Sequence, residues 1–297
     1  CCSSAQYVPG FGILNSTSFV GLSKDIVHCS IRPCGSVYNT SPILLWARRG
    51  APFRPRPRRC LLSSFIAFLL LTVEANPGPK SPIRFGVFNA GGCCKKGAAI
   101  HDLIRDHKLQ VLAVSETCIQ DSAPDAVKVD MAPPNFSILH RHRPSLAGRR
   151  GARSGGGLAF IYSTSLRAMA IESSIKPTSF ELQLVSLHIG GVQTRVANIY
   201  RPPSSSKPLF LDEFANLLTS IGLGLSERLV ICGDFNMPGA DANNIDSRLS
   251  ALLDVHGYAQ HVTEPTRHSL NGRVANLLDG IITSASGRPS LVSAVKV

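Results

Sequence analysis

From Ile83 onward, hydrophobic and polar residues alternate in blocks that predict a regular order of elements. Arg84–Asn89 and Gln110–Glu116 are apolar runs ending in polar residues and predict strands. Between them, Ala98–Lys108 places Ile100, Leu103 and Ile104 on one face and predicts a helix, giving a βαβ-like opening. Further strands are predicted at Gly157–Tyr162, Glu181–Leu187, Gln193–Tyr200, Leu229–Asp234 and Leu277–Thr283. Helices fit Leu209–Ile221 and Ile245–His256. Strands outnumber helices and several alternate polar with apolar residues, which predicts packed sheets with outer helices rather than one fully parallel sheet.

Residues 1–60 lack such patterned faces: they are rich in Ser, Pro, Gly and Cys and end in the basic run Arg54-Pro-Arg-Pro-Arg-Arg59. Disorder is the expectation there. Leu61–Thr72 is a 12-residue apolar run, too short to span a bilayer. Its basic flank gives it the shape of a signal peptide, but its internal position and the lack of a small-x-small cleavage site argue against secretory targeting and against stable membrane insertion. The domain reading is therefore 1–60 as a basic low-complexity region, 61–79 as an apolar helix with the peptide described below, and 80–297 as the globular domain.

The chain of 297 residues is 44% hydrophobic, enough to bury a sizeable core. Its net charge of +12 favours a polyanionic partner. Residues 1–79 hold 8 basic and 2 acidic side chains and residues 80–297 hold 23 and 17, so the short N-terminal part is far more basic per residue. The nine cysteines include adjacent pairs, and Cys29 and Cys34 lack matching downstream ligands, so neither a zinc site nor a disulfide framework is read. A reducing compartment, cytosol or nucleus, is the default. The chain starts with Cys and its first methionine is Met131, so a fragment of a longer product is expected.

The predicted strand ends carry the candidate chemistry. Asn89 ends the first, Ser115-Glu116-Thr117 the second, Tyr200-Arg201-Pro202-Pro203 a middle one, and Asp234-Phe235-Asn236 the next, while Asp279 lies in a late one. One acid at a strand end is an ordinary turn signal. Five strands each delivering a polar group suit phosphodiester cleavage, because Mg²⁺ takes few protein carboxylates and keeps waters and phosphate oxygens in its octahedron. Glu116 can supply the carboxylate, Asn89 can ligate or brace, Asp234 can activate water, Asn236 can orient it, and Tyr200 can donate to a phosphate oxygen.

Taken in order, these residues resemble the endonuclease/exonuclease/phosphatase family over about Ile83 to Val297. Within it, Asn198-Ile-Tyr200-Arg201-Pro-Pro, Gly233-Asp234-Phe-Asn236-Met-Pro and Glu264-Pro-Thr266-Arg267 resemble the endonuclease domain of LINE-type non-LTR retrotransposons. The resemblance implies a four-layer αββα sandwich of two mixed sheets. It also implies Mg²⁺, with Mn²⁺ as a substitute, DNA as partner, no small-molecule cofactor, and a reverse transcriptase downstream in the intact polyprotein. Nuclear and cytoplasmic residence follows. By resemblance Glu116 and Asn89 serve the metal, Asp234 and Asn236 the nucleophile, Tyr200 the phosphate, and Asp279 orients a catalytic histidine. Family members end on Ser-Asp-His in a final strand, whereas this sequence ends at Ala294-Val295-Lys296-Val297, so a missing last strand and weak cleavage are expected.

Thr72-Val73-Glu74-Ala75-Asn76-Pro77-Gly78-Pro79 resembles 2A-type ribosome-skipping peptides, which implies a break between Gly78 and Pro79. Thr72 departs from their usual Asp, and Asn-Pro-Gly-Pro also stops a helix unaided. The basic loop holding Arg141, Arg143, Arg149 and Arg150 is a candidate for DNA backbone contact, as are Arg201, Thr266 and Arg267, against the simpler reading of a solvated loop. His140 and His142 read as surface histidines. The Gly91–Lys96 loop is open to two readings, a plain loop or lysine contact with phosphate. A phosphatase of the same fold acting on inositol phosphate or lipid, and a non-catalytic remnant carrying a translational or targeting signal, stand as alternatives.

Overall fold

The computed structural model describes residues 26–31, 82–93, 95–142, 155–189, 192–221, 228–268, 275–284 and 292–296. In chain order the elements are β1 (Ile26–Ile31), β2 (Ile83–Asn89), α1 (Gly97–Asp106), β3 (Val111–Ser115), α2 (Asp125–Val129), β4 (Phe136–Arg141), β5 (Leu158–Ser163), β6 (Arg167–Ile171), β7 (Glu181–Ile189), β8 (Val192–Tyr200), α3 (Lys207–Ser220), β9 (Arg228–Asp234), α4 (Ser247–Val255), β10 (Tyr258–Gln260), β11 (Arg267–His268), β12 (Ala275–Asn276), β13 (Asp279–Ser284) and β14 (Val292–Lys296).

Two six-stranded sheets form, ordered β14-β1-β2-β3-β5-β4 and β10-β13-β9-β8-β7-β6. Each has one parallel pair near its centre, β2 with β3 and β8 with β9, and antiparallel neighbours elsewhere. Both sheets are therefore mixed, as expected. Their facing surfaces close on a core of alternating residues, among them Phe85, Val87, Phe160, Val185, Val196, Val230 and Ile281. The outer face of the first sheet is covered by Ile100, Leu103 and Ile104 of α1 and by Met131. Phe210, Phe214, Leu217 and Leu218 of α3 and Leu249 and Leu253 of α4 cover the outer face of the second. The order is helix, sheet, sheet, helix, and each helix is fixed by its apolar stripe. The Ser206 hydroxyl caps α3 and the Asp246 carboxylate caps α4.

Buried polar groups tie the sheets together. Asn198 of β8, wholly buried, donates to the Val114 and Ala159 carbonyls of the opposite sheet at 3.2 Å each. Gln183 of β7 reaches the Leu139 carbonyl at 2.9 Å. Between apolar sheet faces such bonds fix the relative register, because breaking one leaves a buried group unpaired.

Several elements depart from the sequence reading: β1, α2, β4, β6, β10, β11, β12 and β14 carry no predicted counterpart. Ile26–Ile31, inside the segment without patterned faces, is a strand between β14 and β2, so the flank of β2 is covered. Its periodic signal is two inward positions, Val27 and Cys29, too little to outweigh the Ser, Pro and Gly around it. β4 and β6 were also not predicted, because their residues are mostly half-buried or exposed and lack clean alternation. The apolar run 61–72, the peptide Glu74, Asn76, Pro77, Gly78 and Pro79, and Arg143, Arg149 and Arg150 lie outside the described residues. No helix among the described residues is long and apolar enough to cross a membrane.

Gly233 occupies φ +126° beside β8, where an added Cβ would stand 2.0 Å from the Ile199 carbonyl oxygen. Gly233→Ala is expected to cost about 2–3 kcal/mol and to lower Tm by roughly 5–10 °C. Thermal unfolding followed by far-UV circular dichroism measures it, and an unchanged Tm would refute the close approach of β8 and β9.

Candidate active site

Strand register gathers the candidate residues. In the first sheet Asn89 pairs with Ser115, which puts Glu116 one residue beyond the edge. In the second, Asp234 lies between Tyr200 on one side and Asp279 on the other. Both parallel pairs end at the same rim of the sandwich, and a cleft of about 270 Å³ opens there. Asn89, Lys96, Glu116, Asp234, Arg267 and Asp279 line it.

The two sheets meet at one amide. Asn89 Nδ2 donates to Glu116 Oε1 at 3.0 Å and to Asp234 Oδ2 at 2.7 Å, across 145 residues of chain. Its oxygen accepts from the Gly91 N–H at 2.9 Å. The amide nitrogen, not the oxygen, thus faces the acids. Of the two roles foreseen for Asn89, this geometry matches bracing and leaves no oxygen turned toward a cation.

Glu116 sits just past β3 at φ +52°, an uncommon backbone for a residue with a side chain. Its surroundings hold it there. Its carbonyl accepts from Gly92 N at 2.7 Å, and Thr117 N donates to Gly157 O at 3.1 Å. Gly157 N in turn donates to Glu181 Oε2 at 2.6 Å. Tyr200 hydrogen-bonds Glu116, and burial, that bond and the neighbouring anions Glu116, Asp234 and Glu181 push its phenol well above the ordinary range. Tyr200 is therefore a neutral donor at any physiological pH.

Asp234 is 3% exposed. Its carboxyl pKa rises to about 6, chiefly through burial and secondarily through the Glu116 charge, against the lowering pull of Asn89, the Asn236 N–H and Arg267. Two acids close together in a semi-buried cleft, with cations only at its margin, suit a divalent cation. Mg²⁺ asks for one or two carboxylates plus water, so the oxygen donors of Glu116 and Asp234 fit it. Among the described residues, no cluster of three or more His, Cys, Asp or Glu forms a closed cage.

Asn236 does not continue the strand alternation with Asp234. The chain turns at φ +46° and the Asn236 N–H donates to Asp234 Oδ1 at 2.9 Å. Its Nδ2 donates to the Arg201 carbonyl at 2.9 Å. Arg201 answers by donating Nη1 to the Asn236 carbonyl at 3.0 Å and Nη2 to the Ser205 carbonyl. Its guanidinium stands 5.8 Å from the Phe210 ring centre.

Arg201 is therefore not a DNA-facing cation: at 1% exposure it is an internal brace of the Asp234–Asn236 turn. Thr266 is likewise 1% exposed, and its Oγ1 accepts from Leu278 N at 3.0 Å and Asp279 N at 3.1 Å, holding β13 rather than a ligand. Arg267, next along the chain, is exposed and does line the cleft. Arg141 is exposed at the end of β4, away from the cleft lining. His140 and His142 stack on each other at 5.1 Å and bond backbone carbonyls; both are half-buried rather than free on the surface. No histidine among the described residues lines the cleft.

Two further residues belong to this neighbourhood: Lys96, from the loop left open between a plain loop and phosphate contact, and Glu181, which the sequence did not single out. Lys96 lines the cleft and donates Nζ to the Ala90 carbonyl at 2.5 Å. Its signal in the sequence was only the basic end of a glycine-rich loop. Glu181 pairs with Tyr200 across β7 and β8, which pairing register alone reveals.

The sequence pattern described as the Endonuclease/Exonuclease/phosphatase family matches residues 86–292. No curated protein matches the sequence. Among solved structures, the endonuclease domain of TRAS1, a telomere-specific non-LTR retrotransposon, is 13% identical over 70% of this chain and 91% of that one, with a TM-score of 0.47. The AP endonuclease LMAP of Leishmania major is 14% identical over 68% and 78%, TM-score 0.48. An AP endonuclease of Archaeoglobus fulgidus is 13% identical over 67% and 86%, TM-score 0.47. The family match takes in β2 through the start of β14 and every residue lining the cleft, and this chain belongs to the endonuclease/exonuclease/phosphatase family.

Proposed function

We propose that this chain is the DNA-nicking domain of a non-LTR retrotransposon polyprotein, a phosphodiesterase dependent on Mg²⁺ or Mn²⁺ that leaves a 3′ hydroxyl for reverse transcription. One observation carries the hydrolytic part: Asn89 holding Glu116 and Asp234 together at 3.0 and 2.7 Å from opposite sheets. The retrotransposon part rests on the segments Tyr200-Arg201-Pro202-Pro203 and Gly233-Asp234-Phe235-Asn236, whose residues build and brace that cleft.

A bound divalent cation supplies charge to neutralise the scissile phosphate and its leaving oxygen. Glu116 holds it, with Asp234 completing the anionic pocket. Asp234, once deprotonated, takes the proton from the attacking water, and Asn89 keeps its carboxylate aimed. Tyr200, locked neutral, has one O–H to give: it donates to Glu116 in the free site and turns to a non-bridging oxygen when DNA is bound. Lys96 and Arg267 attract the DNA backbone from the cleft wall. Asn236 acts through the Arg201 turn, fixing the position of Asp234. The half-buried Lys96 and the exposed Arg267 beside an open cleft favour an extended polyanion over a small phosphate ester.

Nicking of supercoiled plasmid in Mg²⁺ tests this. Asp234→Ala is expected to slow nicking by about 10²-fold or more relative to the parent chain, whose own rate is expected to be low because no histidine among the described residues lines the cleft. Equal rates would remove Asp234 from the mechanism. Lys96→Ala is expected to weaken DNA binding several-fold and to flatten its salt dependence by about one ion, read by fluorescence anisotropy across a salt series.

Asp234 also predicts a pH dependence of stability. Its folded pKa of about 6 exceeds the unfolded value of roughly 3.9, so between about pH 4 and 6 the unfolded chain has released a proton that the folded chain keeps. Metal-free stability should therefore fall as pH rises through that window, by an amount on the order of 1–3 kcal/mol. At pH 7, millimolar Mg²⁺ should restore Tm in the parent and not in Glu116→Ala. Melting curves in EDTA and in Mg²⁺ decide it; a parent Tm indifferent to Mg²⁺ would exclude Glu116 and Asp234 as the cation's seat.

A further inference from the structure

β1 stands upstream of the proposed break at Gly78–Pro79, yet it is an interior strand of the folded domain. All six of its residues pair with β2, from Ile26 opposite Phe88 to Ile31 opposite Ile83. On its other side β14 pairs with it, His28 with Lys296 and Cys29 with Val295. Among the described residues β14 pairs with β1 alone, so β1 also carries β14. Val27 and Cys29 are 0% and 1% exposed and sit in the core between the sheets, with Phe85, Val87 and Cys232.

The connection to β2 is not what places β1. Ile31 and Ile83 face each other directly, a separation that a two-residue turn closes. The sequence instead puts 51 residues there, 32 to 82. That is far more chain than the closure of Ile31 onto Ile83 requires, so no tight turn dictates the pairing. The ladder bonds and the burial of Val27 and Cys29 do the holding.

We infer that Ile26–Ile31 is a separable sheet-completing strand, which keeps the segment upstream of Gly78 bound to the nuclease domain after the chain is interrupted between β1 and β2. The partner is thus the N-terminal product of the same polyprotein, recognised by strand addition: backbone bonds on both edges and small apolar side chains at alternate positions. Ile26 pairs with Phe88, the residue before Asn89, so the bound strand also stiffens the end of β2 that carries the bridging amide. The inference rests on the sheet pairing and is independent of metal binding or nicking.

The test uses the full chain with a specific protease site placed at the Gly78–Pro79 junction. After complete cutting, the two pieces should co-elute in size-exclusion chromatography, and Cys29 and Cys232 should label with a maleimide at least 10-fold more slowly than in urea, site by site by mass spectrometry. Val27→Asp should let the pieces separate after cutting and speed Cys232 labelling at least 10-fold. Pieces of the parent that separate on cutting would overturn the inference. So would rapid Cys29 labelling in the uncut parent, a measurement needing no variant. Because neither readout involves Mg²⁺ or DNA, loss of the proposed nuclease activity would leave the result untouched.

Discussion

The amide of Asn89 is the constraint on which the rest of this molecule depends. It bonds an acid from each sheet, Glu116 and Asp234, and so sets how far apart two like charges may lie. Without a donor between them those carboxylates repel, and the sheets that carry them have no polar reason to align at this rim. The apolar core alone would tolerate small slips of one sheet over the other, because burial is not directional. Asn89, together with Asn198 and Gln183 deeper in the sandwich, removes that freedom.

Holding the acids this way stores unfavourable energy locally. Glu116 and Asn236 both adopt positive φ, and Asp234 is pushed toward protonation by burial and by its neighbour. The structure around them over-determines these conformations. The Gly91–Cys93 and Gly156–Gly157 segments clamp the backbone around Glu116, and Arg201 clamps Asn236 with reciprocal side-chain and backbone bonds. A buried guanidinium is costly unless its donors are used, and this one donates to carbonyls of two different loops, those of Asn236 and Ser205. The site is therefore built on strand ends and fixed turns, the most rigid places available for positioning charge.

Legibility in the sequence followed the range of each interaction. Strands β2, β3, β5, β7, β8, β9 and β13 and the three longer helices were readable to within a few residues, since each carries its own apolar period. The strand ends were readable as candidate chemistry for the same reason: a run of Leu, Val and Ile that stops at Asp234 advertises its own edge. Roles were less legible than positions. Arg201 and Thr266 read as DNA contacts from composition, but both are internal braces, and nothing local distinguishes an arginine that faces a phosphate from one that faces a carbonyl.

By itself, the sequence determined the main core strands, the three longer helices and the set of polar residues at the strand ends, because side-chain periodicity is a property of consecutive residues; the αββα class came through the family resemblance. Tertiary structure alone decided which of those residues meet. The pairing of Asp234 with both Tyr200 and Asp279, the 145-residue span closed by Asn89, and the insertion of Ile26–Ile31 between β2 and β14 depend on register between strands distant in sequence. Register is set by backbone bonds and shared burial across the whole sandwich, and no window along the chain contains it.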